Sequence, residues 1–445
     1  MIYALQVELT KKAIDSIRKD IAKQNSIFSD KRYLDSLYLP SNIIGRRKQA
    51  EQLLKHIESL KQGFVVPQIS VYGRSGSGKS TVVKFVCQNI GDMASVAFVN
   101  LRKSKTVFGC ANLILSELGS RNLKSAEGLN KAVDNIGEMI EKILVSEKKK
   151  FFLLVLDEYD VIFSDPRGKP SDFVYKLLTL EENLREKGLW LCIVTISNNA
   201  LSDYDLDDRV KSRMGNNEVF FSPYAESDVM QILQDRADKA FLKKVNKEIL
   251  QYCANLSSSD HGDARRALDL LRVSGELSDG MKITKSDVDK AQEQLQKDRI
   301  STIVSSASYH LRVVIGAICG NTLLTGNSWN ATSAIYTKYS KMMANDTKPL
   351  SYRRIVDLLI ELENTGLVTA RTLSRGRYGY GTEYKLKLSP EMVGPVIEKE
   401  WWENQIKIKE NNDKMKELEK SLKSSPFRRG RGFSFPYALM KKYGL

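Results

Sequence analysis

The chain has 445 residues, of which 42% are hydrophobic, and this length predicts two or three domains that can each bury a core. Its 69 lysines and arginines outnumber its 54 aspartates and glutamates, and this balance favours a polyanionic partner, either nucleic acid or an acidic membrane surface. Five cysteines without a CxxC pair and only three histidines argue against a zinc site, a disulfide framework and histidine-based catalysis.

The N-terminal MIYALQVELTKKAIDSIRKD has neither the apolar core nor the cleavage site of a signal peptide, and no window approaches the roughly 18 apolar residues of a membrane span. We therefore expect a cytoplasmic protein without a membrane partner.

An α/β domain is predicted over residues 1–222. Buried strands of a parallel sheet, separated by helices, are predicted at VPQISVYG (66–73), ASVAFVNL (94–101), FFLLVLDE (151–158) and LWLCIVTIS (189–197).

The motif GRSGSGKS, residues 73–80, matches G-x-x-x-x-G-K-[ST] between a predicted strand and a predicted helix. Glycines at these positions let the backbone curl so that its N–H groups point at a β-phosphate, and the helix N-terminus adds a favourable dipole. We predict that Lys79 reaches the β- and γ-phosphates of ATP and that Ser80 supplies an oxygen to Mg²⁺. The predicted phosphate-binding residues are Gly73, Arg74, Ser75, Gly76, Ser77, Gly78, Lys79, Ser80 and Thr81.

Polar side chains follow the next two predicted strands. Asp157 is expected to hold Mg²⁺ through water, and Glu158 beside it to polarise the attacking water. Asn198, after the following strand, is expected to orient that water near the γ-phosphate. Further along, LDDRVKSRMG presents Arg209 and Arg213, and either is a candidate arginine finger for the γ-phosphate of a neighbouring subunit.

The remaining chain divides into three predicted segments. Residues 223–300 are helical without strands, which predicts a lid, and HGDARRALDLL places Arg265 where it can close over the γ-phosphate, with Arg266 as the alternative. Residues 301–390 are predicted to form three helices and then a hairpin with a glycine-rich tip. Residues 391–445 are predicted to form a charged, solvated helix and a basic tail.

Several motifs together resemble the archaeal origin-recognition initiators, the family of origin recognition complex subunit 1 and cell division control protein 6. They are GRSGSGKST, LVLDEYD, ISNN, LDDRVKSR, HGDARRALDLLR, PLSYRRIVDLLIELENTGLV and RGRYGYG, and the resemblance spans roughly residues 25–390. It implies an α/β AAA+ P-loop core with a helical lid, followed by a winged-helix DNA-binding domain. It also implies double-stranded origin DNA, the replicative helicase and either paralogous initiators or a second copy on DNA as partners. Slow, switch-like hydrolysis of ATP to ADP is a further implication.

The resemblance gives roles to individual residues. Asn198 takes the sensor 1 position and Arg265 the sensor 2 position. The segment from residue 100 to about 125 corresponds to helices that touch DNA in relatives. The arginine-finger motif departs from the family pattern, because Asp208 stands where proline is usual. Residues that match the nucleotide-lining positions of the family are Ile44, Gly45, Tyr224 and Arg236.

The hairpin and the helix before it then predict a DNA-reading surface. A recognition helix of this kind enters the major groove by its N-terminal end, and the hairpin, as a wing, reaches a minor groove or its phosphates. The tail from Ser421 adds DNA contacts or is simply solvated. The predicted DNA contacts are Ser351, Tyr352, Arg353, Arg354, Arg375, Arg377, Tyr378 and Tyr380.

Three other functions stay open at this point. The first is another AAA+ DNA-binding ATPase, of the transposition or signalling type. The second is a phosphotransferase, which requires an acceptor pocket for a small molecule. The third is a DNA-binding regulator whose nucleotide site is only structural.

Overall fold

The computed structural model describes residues 14–15, 18, 27–59, 64, 66–215, 217–258, 263–279, 282–343, 348–374 and 380–424. The chain divides into two compact units, one up to Gln292 and one from Glu293. None of the helices in these described ranges is both long enough and apolar enough to cross a membrane.

The first unit has a central β-sheet between layers of helices. Its strands are β1 Gln68–Gly73, β2 Ala94–Asn100, β3 Phe151–Asp157, β4 Trp190–Ser197 and β5 Glu218–Phe221. Its helices are α1 Arg47–Glu58, α2 Lys79–Gln88, α3 Val107–Glu117, α4 Gly128–Glu147, α5 Pro170–Arg185, α6 Asp208–Met214, α7 Glu226–Ala240, α8 Lys247–Ser258 and α9 Ala264–Leu277. Helix α10, Lys285–Ser306, contains the boundary between the units.

All five strands run parallel in the order β2-β3-β4-β1-β5, which confirms the predicted parallel sheet. The register pairs Tyr72 with Ser197 and Asp157 with Ile196. The carboxyl ends of β1, β3 and β4 therefore meet at one edge of the sheet, where ligands bind in folds of this type.

The central strands are apolar throughout because helices cover both faces of the sheet. In β3, Phe152 and Leu154 face the cluster formed with α3, α4 and α5. Leu153 and Val155 face the opposite cluster, formed with α1 and α2. This alternation is the two-residue period of a strand, and it explains why the sequence shows a continuous apolar run.

The second unit begins within α10 and contains a helical body and a small antiparallel sheet. Its further helices are α11 Tyr309–Thr325, α12 Thr332–Met343, α13 Tyr352–Thr365, α14 Pro390–Ile397 and α15 Lys399–Ser424. Its strands are β6 Asn330–Ala331, β7 Val368–Ser374 and β8 Tyr380–Leu386, in the order β6-β8-β7. The three predicted helices followed by a hairpin are thus confirmed as a winged helix.

Helix α13 has the amphipathic face that the sequence predicts. Ile355, Leu358, Leu359 and Leu362 are all buried in the core of the second unit. The helix ends at Gly366, whose φ of +74° is the left-handed conformation that glycine adopts without strain. Burying these side chains fixes which face of α13 is turned outward.

The charged, solvated helix expected over residues 403–420 begins earlier in the structure. Helix α15 begins at Lys399, and Trp402 on it is only 4% exposed. The Trp402 ring lies directly against Gly394 of α14, where a Cβ would clash. The start of α15 is therefore part of the core of the second unit, while residues 410–417 are exposed.

Candidate functional site

The phosphate loop connects the end of β1 to the start of α2. Gly76 and Gly78 adopt φ of +76° and +88°, which only glycine adopts without strain, so the backbone can curl as the motif predicts. A Cβ on Gly78 would collide with the Tyr224 hydroxyl. The N-terminus of α2, with its unpaired N–H groups, opens into this loop and favours an anion there.

Lys79 is buried at the base of the loop. Its Nζ donates to the carbonyl oxygens of Gly73 at 2.5 Å and Arg74 at 2.9 Å, and to Oδ1 of Asn198 at 3.3 Å. Burial lowers the pKa of Lys79, and the positive charge of Arg265 lowers it further. Neither cation has an ion-pair partner within the described residues, and two such charges make the cleft suitable for a polyanion.

Ser80 and Asp157 meet at the sheet edge. The Ser80 hydroxyl donates to Oδ1 of Asp157 at 3.1 Å. Asp157 ends β3, is 7% exposed, and also accepts from the Glu158 N–H at 3.0 Å. A hydroxyl and a carboxylate are oxygen donors of the kind that Mg²⁺ binds, so these residues fit the expected metal.

Glu158 has a left-handed backbone with φ of +55° and ψ of +46°, an uncommon conformation for a residue other than glycine. Its carboxylate lies 3.8 Å from the guanidinium of Arg102, which follows β2. Strained residues held by their surroundings cluster at functional sites. This pairing was not predicted, because Arg102 is one of several basic residues in a polar stretch.

Asn198 is exposed just beyond the end of β4. Its backbone N–H donates to Oδ2 of Asp160 at 3.0 Å. Oδ1 of Asp160 is buried without a hydrogen-bond partner in the described part of the chain. Asp160 therefore holds the Asn198 turn in place, a contact that the sequence motif did not suggest.

One cleft brings the predicted phosphate-end residues together. Arg265 lines it from the start of α9, whereas Arg266 is not among its lining residues. Asp263 caps α9 by accepting from the Arg265 N–H at 2.9 Å. This bond holds the backbone of Arg265, from which its side chain extends into the cleft. The lining residues are Ser75, Gly76, Gly78, Lys79, Ser80, Asp157, Glu158, Ile196, Ser197, Asn198 and Arg265.

A second, more apolar cleft continues from the first, because Gly76, Gly78 and Arg265 line both. Ile44 and Thr81 also line this second cleft, whereas Gly45 does not. Its apolar walls suit a nucleobase. The other lining residues include Tyr38, Pro40, Ile43, Tyr224, Ile232, Arg236 and Leu268.

Arg236 supports the wall of this cleft. Its guanidinium donates to the carbonyls of Tyr33 and Tyr38 at 3.3 Å and 3.5 Å and lies over the Tyr38 ring. Burial lowers the pKa of Arg236. The residue thus holds the N-terminal segment against α7.

Arg46 is a buried cation that sequence reasoning missed. Its Nε donates to the Ser77 carbonyl at 2.9 Å and its Nη2 to the Ser222 carbonyl at 2.6 Å. The guanidinium carbon lies 3.7 Å from the centre of the Tyr224 ring. Burial raises the pKa of Tyr224. Arg46 therefore ties the phosphate loop to the segment that leads into α7.

The two arginine-finger candidates lie on α6 and line neither cleft. Arg209 pairs with Asp207, at 2.7 Å from Nη2, and this hydrogen bonding lowers the pKa of Asp207 to about 2. Arg213 pairs with Glu182 and lies over the Tyr175 ring. Asp208 takes the first helical position. Proline is favoured there because its fixed φ fits the helix, and aspartate is favoured there because its negative charge interacts well with the helix dipole.

The predicted DNA surface is described in part. Ser351 caps α13, and Tyr352, Arg353 and Arg354 are exposed in its first turn. Arg354 approaches Asp357 at 3.4 Å, whereas Arg353 forms no ion pair within the described residues. On the hairpin, Tyr380 is 81% exposed. Three predicted contacts lie outside the described residues, namely Arg375, Arg377 and Tyr378.

Three segments of the chain match known families. Residues 69–221 match the ATPase family associated with various cellular activities (AAA). Residues 230–293 match the Cdc6 AAA+ ATPase-type lid domain, and residues 302–394 match the CDC6 C-terminal winged helix domain.

Similar proteins extend over most of the chain. The ORC1-type DNA replication protein 1 of Sulfurisphaera tokodaii is 32% identical over 400 residues, 87% of this chain and 96% of that protein. The ORC1-type DNA replication protein of Thermococcus kodakarensis is 30% identical over 85% of this chain and 93% of its own length. The solved structure of the Aeropyrum pernix ORC1 protein in complex with DNA aligns with a TM-score of 0.70 and 26% identity, over 86% of this chain and 99% of that one. These likenesses confirm the resemblance inferred from the motifs, and the chain belongs to the family of ORC1-type DNA replication proteins.

Proposed function

We propose that this chain is an ATP-dependent DNA replication initiator that binds origin duplex DNA. One observation carries the proposal: the same chain has a phosphate loop around a buried lysine and a winged helix whose exposed first turn is basic. The net charge of +15 supports a polyanionic partner. The Aeropyrum pernix ORC1 protein was solved in complex with DNA, which supports the same partner here.

Within this function, each segment has its own task. Residues 1–222 bind the nucleotide, and residues 223–300 act as the lid that closes on it. Residues 301–390 bind DNA, and residues 391–445 add the charged helix and basic tail. The family matches at 230–293 and 302–394 support this order.

ATP binds with its phosphates over the loop of residues 73–81 and its base in the apolar cleft beside Ile44. Lys79 then donates to the β- and γ-phosphates, which are stronger acceptors than the neutral carbonyls that it bonds in this structure. Arg265 approaches from the lid side. Two cations at the γ-phosphate stabilise the charge of its oxygens as the bond to ADP breaks.

Hydrolysis uses the side chains of Glu158 and Asn198. Glu158 accepts a hydrogen bond from the attacking water, and Asn198 orients that water in line with the γ-phosphorus. The water oxygen bonds to phosphorus, the bond to the β–γ bridging oxygen breaks, and ADP and phosphate leave with the water's protons. The Arg102 guanidinium lies 3.8 Å from the Glu158 carboxylate, and a carboxylate engaged in that ion pair is less available to the attacking water, which supports slow, switch-like turnover.

Mg²⁺ would be held by Ser80 directly and by Asp157 through water. When bound, the ion neutralises phosphate charge. The pairing of the Ser80 hydroxyl with Asp157 at 3.1 Å supports this assignment, since both oxygens already converge beside the phosphate loop.

An arginine finger would act between subunits on DNA. Arg209 and Arg213 line neither cleft of their own chain, so either must reach the γ-phosphate of a neighbour, a second copy or a paralogous initiator. The side chain of Arg209 is 67% exposed and that of Arg213 is 32% exposed. Arg209 is therefore the freer of the two to reach across.

DNA is held by the first turn of α13 and by the wing. If ~5–8 phosphates are neutralised, the logarithm of the binding constant falls with the logarithm of salt concentration at a slope of roughly −4.5 to −7. An arginine such as Arg353 reading guanine adds about 1–3 kcal/mol of discrimination. With the initiator on the origin, recruitment of the replicative helicase follows as the next step.

The proposal is tested by measuring ATP binding, ATP hydrolysis and duplex binding on the whole chain and on Glu158→Gln. Sequence-selective duplex binding that depends on the nucleotide state supports the initiator. Rapid phosphoryl transfer to a small molecule would instead identify a phosphotransferase. Activities that are unchanged by Glu158→Gln would leave a DNA-binding regulator with a structural nucleotide site.

A further inference from the structure

A short hydrogen-bond network in the second unit leads to the start of α13. The hydroxyl of Tyr339, on α12, accepts from the backbone N–H of Leu350 at 3.2 Å. The same hydroxyl lies 2.8 Å from Nδ1 of His310, in the first turn of α11. Tyr339 is fully buried, and within the described residues its hydroxyl has these two groups as hydrogen-bond partners.

One arrangement of hydrogens gives the amide, the hydroxyl and the imidazole nitrogen each a partner. The Leu350 amide can only donate, so the tyrosine oxygen accepts from it. The hydrogen of the hydroxyl then points at Nδ1 of His310, which accepts only in the imidazole form that carries its hydrogen on Nε2. His310 thus orients the hydroxyl, and the hydroxyl holds the Leu350 amide.

Leu350 stands immediately before the cap of α13. Its side chain packs against the core of the second unit, and Ser351 next to it accepts from the Arg354 N–H at 3.4 Å. Tyr352 and Arg353 follow, both exposed. The bond from Leu350 to Tyr339 therefore determines the point at which the chain leaves the body of the domain and begins the first turn of α13.

We propose that Tyr339, oriented by His310, is a positioning residue for DNA recognition. The inference rests on the proposed function, since it assigns the network a task in presenting the first turn of α13 to the duplex. Contacts to base edges tolerate displacements of only about 0.5 Å. A rigid start to α13 also reduces the ordering cost that binding would otherwise carry.

The test compares Tyr339→Phe with Tyr336→Phe in the full chain. Tyr336 lies one turn earlier on α12 and contacts the rings of Tyr339 and Tyr352, but its hydroxyl makes no hydrogen bond in the described part of the chain. The probes are the genomic duplex that the wild type enriches most and a shuffled duplex of the same length. Affinity is measured by fluorescence anisotropy at a temperature where circular dichroism shows every variant folded.

We expect Tyr339→Phe to bind the enriched duplex about tenfold more weakly, the effect of losing one buried hydrogen bond of ordinary strength. Binding of the shuffled duplex, and all binding by Tyr336→Phe, should stay within about twofold of wild type. Equal affinity of wild type and Tyr339→Phe for the enriched duplex overturns the inference and leaves the proposed function intact.

His310 gives a second test that leaves the buried tyrosine unchanged. Asparagine carries an acceptor close to the position of Nδ1, so His310→Asn should keep wild-type affinity while His310→Ala loses about as much as Tyr339→Phe. Equal losses in both His310 variants would indicate a packing role and overturn the inference. If the wild type does not distinguish the enriched from the shuffled duplex, the proposed function fails and the inference fails with it.

Discussion

Replacing Arg46 with methionine should destabilise the first unit strongly, although no step of the proposed hydrolysis uses this side chain. The change removes two hydrogen bonds from a charged donor, each contributing about 1.5–3 kcal/mol. It also removes the stacking on Tyr224, which contributes about 0.5–2 kcal/mol. Contributions from one side chain do not add fully, so we expect the free energy of unfolding to fall by about 3–5 kcal/mol.

The neighbouring residue provides a matched control. The side chain of Arg47 is 91% exposed, and its ion pair with Glu51 spans a single helical turn at 2.7 Å. Such a pair contributes about 0.3–0.5 kcal/mol, so Arg47→Met should change stability by no more than that. The two variants remove the same charge at adjacent positions, and only burial and partners differ.

Urea unfolding of the full chain, followed by far-ultraviolet circular dichroism, measures the difference. ATP affinity, measured by isothermal titration calorimetry on the folded variants, should also fall for Arg46→Met, because the Ser77 carbonyl lies within the phosphate loop. If Arg46→Met and Arg47→Met share the same urea midpoint, the role assigned to the buried guanidinium is wrong.

Two further predictions concern the site, and a third concerns the buried cysteines. Glu158→Gln should slow single-turnover ATP hydrolysis at least about 100-fold while ATP still binds, since a general base typically contributes 10²–10⁴; unchanged turnover would remove Glu158 from the mechanism. Chelating Mg²⁺ with EDTA should weaken ATP binding of the wild type more than that of Asp157→Asn, and an equal loss in both would count against Asp157 as part of the metal site. Ellman's reagent at pH 8 should label almost no thiol in the native chain and all five after unfolding, because burial raises the pKa of Cys87 and Cys253 to about 12 and of Cys110 to about 11; rapid native labelling would contradict the buried positions.

Much of the fold could be predicted because its signals are local. Strands β1 to β4 appear as continuous apolar runs, since helices cover both faces of the sheet. Strand β5 was missed because it has only four residues at the sheet edge, with alternating burial, and this is too short for a periodicity to register. The start of α15 was missed because two adjacent tryptophans in a charged stretch do not show which of them is buried.

The site was predictable where a motif carries it and not where tertiary contacts decide. The phosphate loop, Asp157 and Asn198 could be placed from their positions after predicted strands. Arg46 and Arg47 are identical in type, and the burial of Arg46 depends on carbonyls that are 31 and 176 residues away in sequence. The contact of Asp160 with the Asn198 turn depends likewise on the order of strands in the sheet.

Binding to a library of the protein's own genomic duplex fragments, with ATP and at two salt concentrations, tests the central claim most directly. The double variant Arg353→Ala/Arg377→Ala would run beside the wild type, with Arg47→Ala as a control that removes an exposed charge from the first unit. We predict that the wild type and the control enrich a few fragments and keep that preference at higher salt. We predict that the double variant loses the preference. Uniform binding that disappears with salt would contradict the account and leave the basic surface as an electrostatic footprint only.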